Sequence, residues 1–462
     1  MKFKTVIRGG TIVNGGATFM ADIGIEGGKI AALGNNLDGQ EVIDATGRKV
    51  FPGAIDAHVH LQLPFGGTVS ADDFENGTKA AACGGVTTVI DFAIQKKGEP
   101  LMAAVDARRA EADPKVCVDY SLHVATTEWN ADVARQFRAV VDSGIPTFKM
   151  FMIYKNEGWM ADDSILYQGL ELAAEVGAQI GVHAESVDLL NLLITRYQQH
   201  PDRAKLGAMA HALSRPAVTE WEAVERAITW AEVTGGRLYI VHTSAGKSVD
   251  LVRRARRRGV NVYCETCPQY LLLDDSVFAG ENGHLYATCP QIKKREDSEL
   301  LWEGLVNGSV QILATDTCTF TTQQKALWKG EFWRIPFGMP GVETLVPLTY
   351  TAGVAGGRFS ASHWVRLVSE NPAKLFGMFP RKGIIAPGSD ADLVIWDDDR
   401  KVTITPSALQ TNCDWSPFEG FVTSGYAHMT FSRGELVARE GKFVGKVGHG
   451  QFIKRSPGKG IE

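Results

Sequence analysis

The sequence predicts an α/β fold: a (β/α)8 TIM-type barrel over residues 51–380, with a small β-sandwich built jointly from 1–50 and 381–462. Three observations lead there. Between residue 50 and about 320, eight short β-rich runs alternate with helical stretches. Several runs are continuously apolar at their start, as parallel strands buried on both faces are. Both ends of the chain instead consist of strand and turn segments without a helical period.

Taken in order, the stretches KTVIRGGTIVNGG, ADIGIEGGKIAALG and EVIDATGRKV have the pattern of hairpin strands joined at glycine pairs. The barrel runs follow: GAIDAHVHL (53–61), VTTVIDFA (86–93), VDYSLHVA (118–125), TFKMFMIY (147–154), QIGVHAES (179–186), RLYIVHTSA (237–245), VNVYCETC (260–267) and VQILATDT (310–317). Helical segments such as ADDFENGTKAAAC, SILYQGLELAAEVG and TEWEAVERAITWAEVTGG separate them. Gly84, Gly144, Gly177, Gly235 and Gly259 fall where those helices should end. KGIIAPGSDADLVIWD and HMTFSRGELVAREGKFVG then return to the strand-and-turn style. The glycine-rich, basic tail after Lys446 reads as a mobile end or an arm that packs on a neighbouring subunit.

Composition narrows the classes. The formal net charge is −5, which does not suit a general nucleic-acid binder. The basic run Arg253, Arg254, Arg256, Arg257, Arg258 reads as a solvated helix face. At 44% hydrophobic residues the chain can bury a large core. No apolar run approaches 18 residues and no signal peptide is recognisable, so no membrane partner is expected. Seven scattered cysteines, an odd number, suit a reducing cytoplasm better than a disulfide framework. Cys264 and Cys267 form a lone CxxC, read as two small apolar residues at a strand end rather than half a zinc site. The 49 glycines follow no collagen period and act as punctuation.

In such barrels the chemistry sits at the C-terminal ends of the strands. The polar residues there are His58 and His60 on the first run, Lys149 on the fourth, His183 on the fifth, His242 on the sixth and Asp316 on the eighth. Residues two apart on a strand face the same way, so His58 and His60 can reach one ion. Imidazole and carboxylate donors suit Zn²⁺, with Mn²⁺, Fe²⁺ or Co²⁺ as substitutes. Lys149 is the odd member, because an ammonium repels cations. It is either a core lysine paired with an acid or a chemically modified one.

DAHVHL (56–61), FKMFMIY (148–154), VHAES (182–186), VHTSAG (241–246), CETCPQYLLLD (264–274), ATDTCTF (314–320) and NPAKLFGMFPRKGIIAPGSDADLVIWD (371–397) resemble the cyclic amidohydrolases. Within them the branch is that of the dihydropyrimidinases and D-hydantoinases, including the phenylhydantoinases, and the likeness spans essentially the whole chain. The resemblance implies two divalent ions. His58, His60 and Asp316 would bind the more buried one, and His183 and His242 the second. Lys149, carboxylated by CO₂, would bridge them as an anionic carbamate. A bridging hydroxide would attack a ring carbonyl, and Asp316 would pass its proton to the leaving nitrogen. Tyr154 matches the family tyrosine that hydrogen-bonds the developing oxyanion. Backbone groups near Cys289 and Phe337 match positions that grip the imide edge. Leu63, Phe65, Met152 and Trp159 would form an apolar lining around the exocyclic substituent.

The implied activity opens 5,6-dihydropyrimidines and 5-monosubstituted hydantoins to N-carbamoyl amino acids, in a cytoplasmic homotetramer. Three positions depart from the pattern. Cys289 stands where many relatives have Ser, Phe337 where they have Asn, and Thr317 where many hydantoinases have His. Dihydroorotases usually carry an arginine at the position of Gln62, and an uncharged amide gives no bidentate carboxylate clamp. Allantoinase is the alternative within the family. A non-catalytic scaffold is the alternative outside enzymes, against which the retained ligand set stands.

Overall fold

The structure is a computed structural model that describes residues 2–461. All eight barrel runs form strands: β1 (Ala54–Asp56), β2 (Val86–Ile94), β3 (Asp119–Ala125), β4 (Thr147–Phe151), β5 (Gln179–His183), β6 (Arg237–Ile240), β7 (Val262–Thr266) and β8 (Ile312–Leu313). They make one parallel sheet in sequence order. Only Ile94 and Arg237 within these strands are not buried, which accounts for the apolar runs. The ring closes between β1 and β8 just beyond their ends. There Asp316 N–H donates to His58 O at 2.9 Å and His60 N–H donates to Thr317 O at 2.7 Å. Asp56 staples this seam from inside. Its carboxylate accepts from the N–H groups of His58 (3.2 Å) and Thr315 (3.1 Å) and from the Thr315 hydroxyl.

The outer helices present apolar stripes to the sheet. Ala131–Asp142 buries Val133, Phe137, Val140 and Val141, and the Asn130 side chain caps its first turn by accepting from Asp132 N–H and Val133 N–H. The helix Phe74–Gly84 runs one residue further than its sequence suggests. Gly85, at φ +94°, is its left-handed cap, and Gly84 is the last helical residue. Gly84 is needed for another reason: a Cβ there would meet Glu343 O at 2.2 Å. The Arg253–Arg258 run lies on and just past helix Gly246–Arg257. Arg253 and Arg254 pair with Asp250, and Arg258 with Glu232.

Two larger sheets flank the barrel, besides a two-stranded hairpin of Pro64–Phe65 and Thr68–Val69. One contains Lys29–Gly34, Asp22–Glu26, Lys2–Arg8 and Asp38–Asp44 in that order. The second has seven strands drawn from both ends of the chain, with Leu393–Asp397 antiparallel to Lys49–Pro52 at its centre. Ile7, Ile23, Ile25, Val50, Leu393 and Phe431 fill the space between the sheets.

The tail after Lys446 differs from the expectation of a mobile end or an arm for a neighbouring subunit. It lies against this chain's own barrel. Tyr120 N–H donates to Gln451 O (3.0 Å), Ile453 N–H donates to Tyr120 O (2.7 Å), and buried Arg455 donates to Ser121 Oγ and Thr147 Oγ1. Its glycines permit contact that any side chain would block: a Cβ at Gly458 would fall 1.7 Å from Leu375 O.

A buried ion cluster ties β3 to the 381–392 segment. Lys382 Nζ donates to Asp119 Oδ2 and to Asp392 Oδ2 (2.6 Å) and lies 3.1 Å from Asp390 Oδ2. Lys382→Met would leave these carboxylates without their shared cation. The expected cost is about 3–5 kcal/mol of stability, measured by chemical denaturation.

Candidate metal centre

The residues that close the barrel also carry the donors. His58 and His60 follow β1 and Asp316 follows β8, so the seam between first and last strand holds all three together. His58 Nε2, His60 Nε2 and Asp316 Oδ1 form a triangle with every edge 3.2 Å. A tetrahedral ion about 2.0 Å from each donor requires edges of about 3.3 Å, so the donors fit a divalent cation without rearrangement. Lys149 on β4, His183 at the end of β5 and His242 just after β6 complete the group. The ring centroids form a chain: His60 to His58 5.1 Å, His58 to His242 5.3 Å, His242 to His183 4.6 Å. His60, Lys149, His183, His242 and Asp316 line one cavity.

The backbone bends to bring them there. Tyr154 (φ +62°), His242 (φ +38°) and Asp316 (φ +55°) occupy the left-handed region. For non-glycine residues this costs of order 1–3 kcal/mol each and concentrates at functional sites.

Burial lowers the His58, His183 and His242 imidazoles below their usual range, toward the neutral form in which an imidazole binds a metal. It also pushes the Lys149 ammonium down to about 8, against the pull of Asp316 and Glu265. Burial alone would raise Asp316, but His58, His60 and Lys149 outweigh it and hold the carboxyl below its usual value.

Several supporting residues escaped the sequence reading. Glu265, at 0% exposure, accepts from His58 Nδ1, from the Tyr239 hydroxyl at 2.6 Å and from His242 N–H at 3.0 Å. Glu185 contacts His183 Nε2 at 2.8 Å and is itself held by Arg215 Nη1 at 3.0 Å. Burial favours a protonated Glu185, yet Arg215 and His183 keep it ionised. An acid inside the apolar run VNVYCETC and another two residues after His183 were available signals. Arg215 carries no local signal, because its partners are distant in sequence.

The remaining predicted residues meet the same cavity. Leu63, Phe65, Tyr154, Trp159, Cys289 and Phe337 all line it. Tyr154 packs against Phe65, Trp159 and His183, with centroids 6.2, 5.9 and 5.7 Å away. Burial holds its phenol well above the usual value, so it remains a proton donor. Met152 does not belong to the lining. It is buried in the main hydrophobic core, just past the end of β4, and its N–H donates to His183 O at 2.9 Å. Cys289 Sγ takes a contact from Arg215 Nη1 at 3.2 Å, a partner the usual serine position does not predict. Cys264 and Cys267 are buried and join no metal-donor cluster among the described residues. Of the other donor clusters there, Asp119, Asp390 and Asp392 already enclose the Lys382 ammonium.

Comparison with known proteins places this geometry in a family. The sequence profile of the amidohydrolase family matches residues 50–437. The chain belongs to the amidohydrolase family. This amidohydrolase is 44% identical to a D-hydantoinase of Geobacillus stearothermophilus over 98% of its own length and 96% of the relative's. It is 40% identical to a D-phenylhydantoinase of Escherichia coli, with 98% of each chain covered. The crystal structure of a dihydropyrimidinase from Brevibacillus agri matches with a TM-score of 0.95 at 40% identity, covering 98% of this amidohydrolase and 99% of that chain. The branch read from the motifs is therefore the one these relatives occupy. No helix among the described residues is long and apolar enough to cross a membrane.

Proposed function

We propose that this protein hydrolyses the cyclic amide bond of 5,6-dihydropyrimidines and 5-monosubstituted hydantoins, yielding N-carbamoyl amino acids. The donor triangle of His58, His60 and Asp316, opening onto a cavity rimmed with apolar groups, carries this reading. His58, His60 and Asp316 would hold one ion and His183 and His242 the other, with Lys149 carboxylated so that it bridges them. Zn²⁺ is the ion of choice for these donors. When bound, the ions polarise the scissile carbonyl and lower the pKa of the attacking water.

The chain's own groups do the rest. An Asp316 carboxylate oxygen accepts the proton released as water attacks and returns it to the leaving ring nitrogen. The Tyr154 hydroxyl donates to the carbonyl oxygen as negative charge develops there. Backbone groups beside Cys289 and Phe337 grip the imide edge, while Leu63, Phe65 and Trp159 enclose the 5-substituent and exclude water. Residues 51–380 serve as the catalytic unit, with the unit formed by 1–50 and 381–462 as its support. A homotetramer working in the cytoplasm completes the proposal.

The deciding experiment is a substrate panel on metal-replete enzyme. Specificity constants for dihydrouracil, both enantiomers of phenylhydantoin, allantoin and dihydroorotate should rank dihydrouracil or phenylhydantoin first. Dominant turnover of allantoin would replace the proposed substrate class.

A further inference from the structure

Glu265 is the penultimate residue of β7 and is fully buried inside the barrel. Its Oε1 accepts from His58 Nδ1 and from His242 N–H, and its Oε2 accepts from the Tyr239 hydroxyl. One buried carboxylate thus holds the side chain of one proposed ligand and the backbone of another. Tyr239 lies on β6, three residues before His242, so the carboxylate is anchored to the strand whose end it positions.

We infer that Glu265 is the positioning residue of the metal centre: it selects the metal-binding tautomer of His58 and fixes where His242 stands. This rests on the ligand set proposed above. An ionised Glu265 offers only acceptors to His58 Nδ1, His242 N–H and the Tyr239 hydroxyl, which places the proton of a neutral His58 on Nδ1. The lone pair is then on Nε2, the atom 3.2 Å from both His60 Nε2 and Asp316 Oδ1. An acceptor at Nδ1 also stops the ring from flipping and makes Nε2 a stronger donor. His242 has a different need. Its backbone is in the left-handed region at φ +38°, and the bond from its N–H to Glu265 holds that turn in place. Glu185 also contacts a proposed ligand, but only through the His183 side chain, and its charge is shared with Arg215. Asp56 also accepts from a ligand's backbone, that of His58, but its other partner is Thr315, whereas one oxygen of Glu265 serves two proposed ligands at once.

The test is metal binding rather than turnover. Apo forms of the wild type, Glu265→Gln, Tyr239→Phe and His58→Ala would be titrated with Zn²⁺ against a competing chromophoric chelator, and their thermal unfolding followed without metal. Glu265→Gln preserves shape and one acceptor but removes the charge. It should weaken the ion held by His58 about 10–100-fold, leave the unfolding of the apo form near that of the wild type, and leave KM nearly unchanged at saturating Zn²⁺. Tyr239→Phe frees one oxygen of Glu265 and should shift affinity the same way by a smaller factor. It decides the matter if Glu265→Gln does not fold. Wild-type affinity in both variants, while His58→Ala loses an ion, would overturn the inference. A fall in apo stability with unchanged affinity would also overturn it, leaving Glu265 a purely structural residue. If His58→Ala binds both ions as the wild type does, the ligand set itself is wrong and this inference falls with it.

Discussion

Lys149→Ala should release most of the metal and abolish ring opening. Two ions per chain are expected from the two-metal arrangement, and the variant should keep about one or none. The reason is electrostatic. Lys149 is fully enclosed among His183, His242 and Asp316, and burial has already pushed its ammonium down to about 8. As a cation it would repel both ions, and as a carbamate it supplies two anionic oxygens between them. Removing the side chain removes the bridge and leaves neutral imidazoles with one carboxylate, too little negative charge to hold two dications close together. Elemental analysis of the purified variant checks this directly, with thermal unfolding to show that the barrel survives. Full metal content and full activity in Lys149→Ala would eliminate the carbamate.

The second large effect is expected at Asp316. Asp316→Asn should retain the fold and cut kcat by about 10²–10⁴-fold, the usual range for losing a positioned acid–base group. Asparagine is a fair test because it is nearly the same shape and, like aspartate, tolerates the left-handed backbone at φ +55°. The amide cannot accept the proton that the carboxylate accepts. It also removes one corner of the donor triangle, so metal content must be measured beside kcat to separate the two losses. Turnover equal to that of the wild type would take the proton-transfer role away from Asp316.

The barrel could be read from the chain because its strands are buried on both faces. Runs such as VTTVIDFA and TFKMFMIY are rich in apolar residues and buried along their strands, so the polar residues on them and at their ends are the informative positions. His58, His60, Lys149, His183, His242 and Asp316 stood out as polar residues ending apolar strands, and the structure collects them around one space. Glu265 is the penultimate residue of an apolar strand, and its signal is masked by the two flanking cysteines, whose CxxC spacing is the more conspicuous local feature. Arg215 and the seam bonds through Asp56 depend on partners many residues away, and no local pattern encodes them. Met152 falls in the core and not in the lining, because strand alternation no longer sets the facing of a residue once the strand has ended at Phe151.

The tail shows the same limit at larger scale. Glycine and basic residues after Lys446 read as mobile because they lack any apolar period. In the fold two of them make specific contacts: Gly458 allows the chain to lie against Leu375, and Arg455 is buried against Ser121 and Thr147. By itself, then, the sequence determined the fold class, the strand ends and the identity of the donors, because burial on both faces and residue chemistry are local properties that leave a local pattern. Only the tertiary structure decided which of those donors meet at 3.2 Å, which carboxylates hold them, and where the last residues go. Those facts depend on how β1 and β8 close on each other across about 260 residues of intervening chain, a distance at which no sequence pattern carries geometry.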